Sequence, residues 1–143
     1  MKIRIVMLGK TRRPEVRTMI EDYLVRIGRF AEIQLTELRE DSAASLRKLA
    51  LDSGATVILL DDAGKPQTSA QFARWLGELR DRGAREIVFL CGDSEGFPDA
   101  LRRRATQKLS LSSLTYSHEL ARVMLVEQLY RAFAILAGHP YPK

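Results

Sequence analysis

Three stretches of this sequence carry residue types that do chemistry. The first is Phe89-Leu90-Cys91-Gly92-Asp93-Ser94-Glu95-Gly96, where two glycines flank a polar triplet. Glycine admits positive φ and lets a ligand approach the backbone closely. The same residues spell Gly92-x-Ser94-x-Gly96, the nucleophile-elbow pattern of small α/β serine hydrolases, with His118 or His139 as candidate bases. An elbow needs its serine on a turn leading straight into a helix, and here Gly96-Phe97-Pro98 intervenes. The second stretch, Leu109-Ser-Leu-Ser-Ser-Leu-Thr-Tyr-Ser-His118, mixes apolar and hydroxyl side chains and is too long for a hairpin turn. The third places Glu119, Arg122, Glu127 and Arg131 on an otherwise apolar run, where charge is costly unless partnered. Glu119 with Arg122, and Glu127 with Arg131, have the spacing of ordinary helix pairs.

Other chemistries lack their residues. Gly9-Lys10-Thr11 resembles the tail of a P-loop, but Arg4 stands where the first glycine is required. Two histidines and one cysteine cannot assemble a conventional zinc site, so no metal is expected. Cys91 ends an apolar run and reads as a small core residue.

The elements that must position these residues alternate along the chain. Strands are expected over Lys2–Leu8, Glu32–Leu38, Thr56–Asp61, Glu86–Cys91 and Lys108–Ser110. Helices are expected from Pro14 to about Ile27, over Ser42–Leu51 and Ser69–Asp81, from Pro98 or Asp99, and over His118–Ala137 with Gly138 as the stop. Continuous apolar strands such as Thr56–Asp61 mark burial on both faces. The reading is an α/β fold with a mostly parallel sheet flanked by helices. Ligands of such sheets bind beyond the carboxyl ends of the strands, which points to the loops after Leu8, Asp61, Cys91 and Ser110. The last helix is apolar nearly all round, and a second copy of the chain is the expected cover for one side.

Composition narrows the class. The 143 residues are 45% hydrophobic and 29% charged, within the range of one globular domain spanning 1–143. No apolar run approaches the roughly 20 residues of a membrane helix. A single cysteine and no signal-peptide pattern fit the cytoplasm. The net charge of +5 hints at a polyanion partner. Lys10, Arg12 and Arg13 form one cationic cluster and Arg102–Arg104 another. Both suit sequence-blind phosphate contacts.

Taken in order, the Gly92–Gly96 loop, Leu111-Ser-Ser-Leu-Thr-Tyr-Ser-His118, Arg122, Glu127-Gln-Leu-Tyr-Arg-Ala132 and His139-Pro140-Tyr141 resemble the ribosomal RNA large subunit methyltransferase H family of the SPOUT superfamily. Met1–Gly9 and Leu60-Asp61-x-x-Gly64-Lys65 extend the likeness over the whole chain. The resemblance implies a C-terminal trefoil knot, S-adenosylmethionine as cofactor and methyl transfer to N3 of a pseudouridine in large-subunit ribosomal RNA. It also implies a homodimer working on the ribosome. Carried over by position, Leu60, Gly92, Leu111, Ser112, Ser113, Leu114, Thr115 and Tyr116 would hold the cofactor. Arg122, His118, His139 and Tyr141 would act near the target base. The chain departs from the family at Asp93, where a second glycine is usual, and at Pro142, where a histidine is usual.

A methylated N3 must lose its proton, a task suited to a histidine. His139, or a cationic Arg122 favouring the N3 anion, is the candidate. A serine hydrolase using Ser94 and a non-catalytic RNA-binding protein are the competing classes.

Overall fold

A computed structural model describes residues 1–38, 47, 54–92 and 96–141. The described elements are β1 (Lys2–Leu8), α1 (Pro14–Ile27), β2 (Glu32–Leu38), β3 (Thr56–Pro66), α2 (Ser69–Asp81), β4 (Glu86–Cys91), α3 (Asp99–Arg104), β5 (Gln107–Ser110) and α4 (His118–Ala137). The helix expected over Ser42–Leu51 lies outside the described residues, apart from Arg47. The strands form one sheet in the order β2-β1-β4-β3-β5, and every neighbouring pair is parallel. The expected α/β sheet is present and wholly parallel.

Period-two side-chain alternation divides the central strands between two cores. Ile3, Ile5, Met7, Ile58, Ile87, Phe89 and Cys91 face a core closed by α1, α2 and α4. Val6, Leu8, Val57, Leu59, Val88 and Leu90 face the other side, against Leu101 of α3. Caps fix where the helices start. Thr68 and Gln71 form a reciprocal capping box before α2, and Ser117 accepts the Leu120 N–H at the start of α4. Gly138 takes the left-handed conformation (φ 71°) that ends α4.

One feature differs from the sequence reading: β3 runs on to Pro66 rather than stopping at Asp61. Both Leu60 and Lys65 pair with Leu109, so the intervening residues bulge out and the ladder resumes beyond them. Gly64 sits in that bulge, where a Cβ would lie 3.0 Å from the Lys108 carbonyl carbon. Much of the apolar surface of α4 packs within the chain. The helix lies against the sheet between α1 and α2, burying Val123, Leu125, Val126, Leu129, Tyr130, Ala132, Phe133 and Ala134. Leu120 and Ile135 remain about half exposed.

Candidate active site

The carboxyl ends of β3, β4 and β5 open into a cleft of about 540 Å³. Its walls come from Leu60–Asp62, from Cys91, Gly92, Gly96 and Phe97, and from the segment between Leu109 and Ala121. Leu60, Gly92, Leu111, Ser112, Leu114, Thr115 and Tyr116 all line it. Ser113, singled out with them, does not, although it lies in the same turn. The Ser110 hydroxyl donates to Ser112 O (2.9 Å), and Leu114 N–H donates to Ser112 Oγ (3.0 Å). These bonds fold Ser110–Leu114 tightly and leave Leu114 largely exposed at the rim. A side chain at Gly92 would crowd its neighbours. A Cβ there would come within 3.2 Å of the Gly96 carbonyl oxygen and 3.3 Å of the Phe97 ring. Cys91 is buried at the cleft's floor. Burial pushes its thiol up to about 12, with Arg122 pulling weakly the other way, so it stays a neutral thiol.

The residues nominated for catalysis fall into separate places. His118, exposed at the first turn of α4, lines the cleft. Arg122, one turn on, is fully buried and outside the cleft's lining. Its Nη1 donates to Thr11 Oγ1 (2.8 Å), and its Nη2 donates to the carbonyls of Leu8 (2.8 Å) and Gly9 (3.0 Å). Glu37 stands 3.8 Å from Nη1 and also accepts the Thr11 N–H. Among the described residues the Arg122 Nε has no hydrogen-bond partner. His139 is exposed beyond the far end of α4. Tyr141 donates to Glu127 Oε2 (2.9 Å) and lies 3.1 Å from the Tyr23 hydroxyl. At 1.5 Å per residue, the 20-residue α4 puts about 30 Å between His118 and the far end beyond which His139 lies, whereas Tyr141 folds back to Glu127 midway along the helix.

Glu119 and Thr11 were not legible as functional residues. Glu119 does not bond Arg122 as a helix pair. Its carboxylate reaches instead to the N–H groups of Arg12 (3.2 Å) and Arg13 (3.1 Å), the start of α1. Burial pushes the Glu119 carboxyl up, but those two N–H groups, with His118 and Arg122 nearby, hold it below the ordinary glutamate range. Burial likewise opposes ionisation of Glu37, and the Thr11 N–H and hydroxyl, with Arg17, outweigh it. One turn of α4 therefore presents His118 to the cleft while Glu119 and Arg122 grip the loop after β1. That loop carries Lys10, Arg12 and Arg13 on its exposed side. Glu127 and Arg131, by contrast, do form the expected helix pair (2.7 Å).

Among the described residues no cluster could hold a metal ion, and no helix is long and apolar enough to cross a membrane. The cleft is of a size for a small-molecule ligand. Its volume falls within the roughly 300–1,000 Å³ of small-molecule sites, and apolar walls with a few polar groups are their usual lining.

Comparison with known proteins agrees with this geometry. Residues 1–142 match the family model described as "Predicted SPOUT methyltransferase". A protein named ribosomal RNA large subunit methyltransferase H from Geotalea daltonii is 38% identical, covering 99% of both chains. Proteins of the same name from Geobacter sp. strain M21 and Koribacter versatilis are each 40% identical, over 99% of this chain and 98% and 97% of theirs. With a match along nearly its whole length and a cleft at the sheet's carboxyl edge, the chain belongs to the SPOUT methyltransferase family.

Proposed function

We propose that this chain, as one domain spanning 1–143, is an S-adenosylmethionine-dependent methyltransferase of large-subunit ribosomal RNA. Its target is N3 of a pseudouridine, and it works in the cytoplasm as a homodimer. The observation that carries the reading is the meeting of Leu60, Gly92, Leu111, Ser112, Leu114, Thr115 and Tyr116 around one cleft. The relatives' shared name and near-complete coverage support the substrate class. A C-terminal knot suits the arrangement, since the segments after β4 and β5 line the same cleft.

Leu60, Leu111 and Leu114 would supply apolar wall to a purine, and the backbone of 111–116 would supply donors and acceptors. Gly92 would let the ligand lie against the strand end. S-adenosylmethionine, when bound, offers a methyl group on a sulfonium. The methyl transfer forms an N3–C bond and breaks the C–S bond, whose electron pair stays on sulfur as a thioether. The N3 proton passes to a base. Positioning supplies much of the rate, because the donor is already activated. His118 is the imidazole at the cleft in the same chain. His139 lies about a helix length away and Tyr141 is tied to Glu127 midway along α4, both outside the cleft's lining, so a role at the target base would fall to those of a second copy of the chain. Leu114, Leu120 and Ile135 offer exposed apolar surface to such a copy. Arg122 acts from within, holding the loop that offers Lys10, Arg12 and Arg13 to RNA phosphates.

The test is methyl incorporation from labelled S-adenosylmethionine into unmodified ribosomes, with the methylated base mapped. The expected product is N3-methylpseudouridine at one large-subunit position. No incorporation, or a methyl elsewhere, overturns the reading. Labelling of Ser94 by a fluorophosphonate would favour the hydrolase instead.

A further inference from the structure

The three consecutive arginines 102–104 read as one cationic patch in sequence, yet they have three different surroundings. Arg102 lines the cleft beside Gly96 and Phe97. Its Nε lies 3.4 Å from the Phe97 carbonyl oxygen, and its Nη2 would be 3.5 Å from a Cβ at Gly96. Arg102 and Arg103 are both exposed, but Arg103 lies outside the cleft's lining. Arg104 turns back to donate to the Ala55 carbonyl (3.3 Å). No carboxylate among the described residues pairs with Arg102. The cleft is thus charged unevenly. Asp61 and Asp62 line it from β3, and Asp61 is also engaged by Lys108 at 3.8 Å. Arg102 lines it from α3.

Such a cleft suits a ligand that carries both signs of charge. S-adenosylmethionine has a cationic sulfonium, a cationic ammonium and one carboxylate. A guanidinium fork matches a carboxylate in geometry and charge. We infer that Arg102 binds the carboxylate of the methyl donor's amino-acid end, which divides the arginine run between cofactor and surface. This rests on the cleft being the donor site. It adds a binding residue from α3 to a pocket otherwise built from the strand ends and the segment before α4. It also assigns Arg102 to the cofactor rather than to RNA phosphates.

The experiment is calorimetric titration of the wild-type protein, R102A, R102K and R103A. Two ligands are used: S-adenosylmethionine and its decarboxylated form, which differs by the carboxylate alone. R102A is expected to bind S-adenosylmethionine about fivefold to tenfold more weakly, as a partly exposed charge-assisted contact would give. The same variant should bind the decarboxylated ligand within about twofold of wild type. R102K should recover part of the loss, and R103A should match wild type with both. Unchanged S-adenosylmethionine affinity in R102A overturns the inference, as does an equal loss for both ligands. If the wild type binds neither, the donor-site reading itself has failed, which is a distinguishable result.

Discussion

The two ends of α4 handle charge in an apolar helix differently. At its start, Glu119 and Arg122 are buried and reach across to another part of the chain, the loop after β1. From its middle onward, Glu127 and Arg131 pair along the helix itself, half-buried, with Tyr141 folded back over them. The Arg131 guanidinium lies 5.2 Å from the centre of the Tyr141 ring. The first arrangement ties together two surfaces, the cleft and the cationic loop. The second closes a local cluster. Side-chain charges of the same kind therefore do long-range positioning at one end and local fastening at the other.

The largest break in this contrast is Arg122→Met. It takes the guanidinium away from the Leu8 and Gly9 carbonyls and Thr11 Oγ1, while Glu37 keeps Arg17 and the Thr11 N–H. Removing one member of a buried charged network costs about 3–5 kcal/mol. Urea unfolding should show a loss of that order. A loss below about 1 kcal/mol would mean the network holds nothing together.

Next in size is acid sensitivity. Both Glu119 and Glu37 are held below the ordinary glutamate range in the folded protein. Depressed folded values mean that the unfolded chain binds more protons at acid pH. Their stabilisation is therefore full above the ordinary glutamate range and fades as pH falls through the depressed folded values. Glu119→Gln should lose about 1.5–3 kcal/mol at neutral pH, the worth of hydrogen bonds to a charged group. Its stability should also fall less steeply on the acid side than that of the wild type. Parallel acid limbs in thermal melts would contradict this.

Tyr141→Phe probes the other end. It removes one hydroxyl shared between Glu127 and Tyr23, so about 1 kcal/mol should be lost. Affinity for S-adenosylmethionine should stay within about twofold, because none of Tyr23, Glu127, Arg131 and Tyr141 lines the cleft. The smallest effect belongs to Asp22→Asn. It breaks the exposed Asp22–Arg26 pair (3.2 Å), and chemical denaturation should register less than about 0.5 kcal/mol. Together these variants rank buried cross-ties above local clusters and local clusters above surface pairs.

Much of the fold is legible in sequence because periodicity reports burial directly. The apolar runs of β1 and β4 and the caps at Thr68, Ser117 and Gly138 fall where spacing and turn chemistry put them. The extension of β3 does not. Asp61-Asp62-Ala63-Gly64 has the composition of a turn, and only the neighbouring β5 lets pairing resume at Lys65. The place of the cleft is legible from the rule that ligands bind at the carboxyl ends of parallel strands, whereas its individual lining residues rest on the family resemblance, since spacing cannot bring Leu60 beside Tyr116. Spacing also misjudged Glu119 and Arg122. Three residues apart on one helix, they suggested each other as partners, but burial against the β1 loop gave both a better set of bonds. The position of Arg102 is not legible, because three like charges in a row do not reveal which one borders the cleft.

The central claim is that the space beside Gly92 is where the methyl donor lies. Calorimetry of the wild type against Gly92→Val tests it most directly, with melting temperatures measured in parallel. Saturable S-adenosylmethionine binding by the wild type, abolished in the folded variant, is the predicted result. Equal binding by both proteins, or none by the wild type, would contradict it.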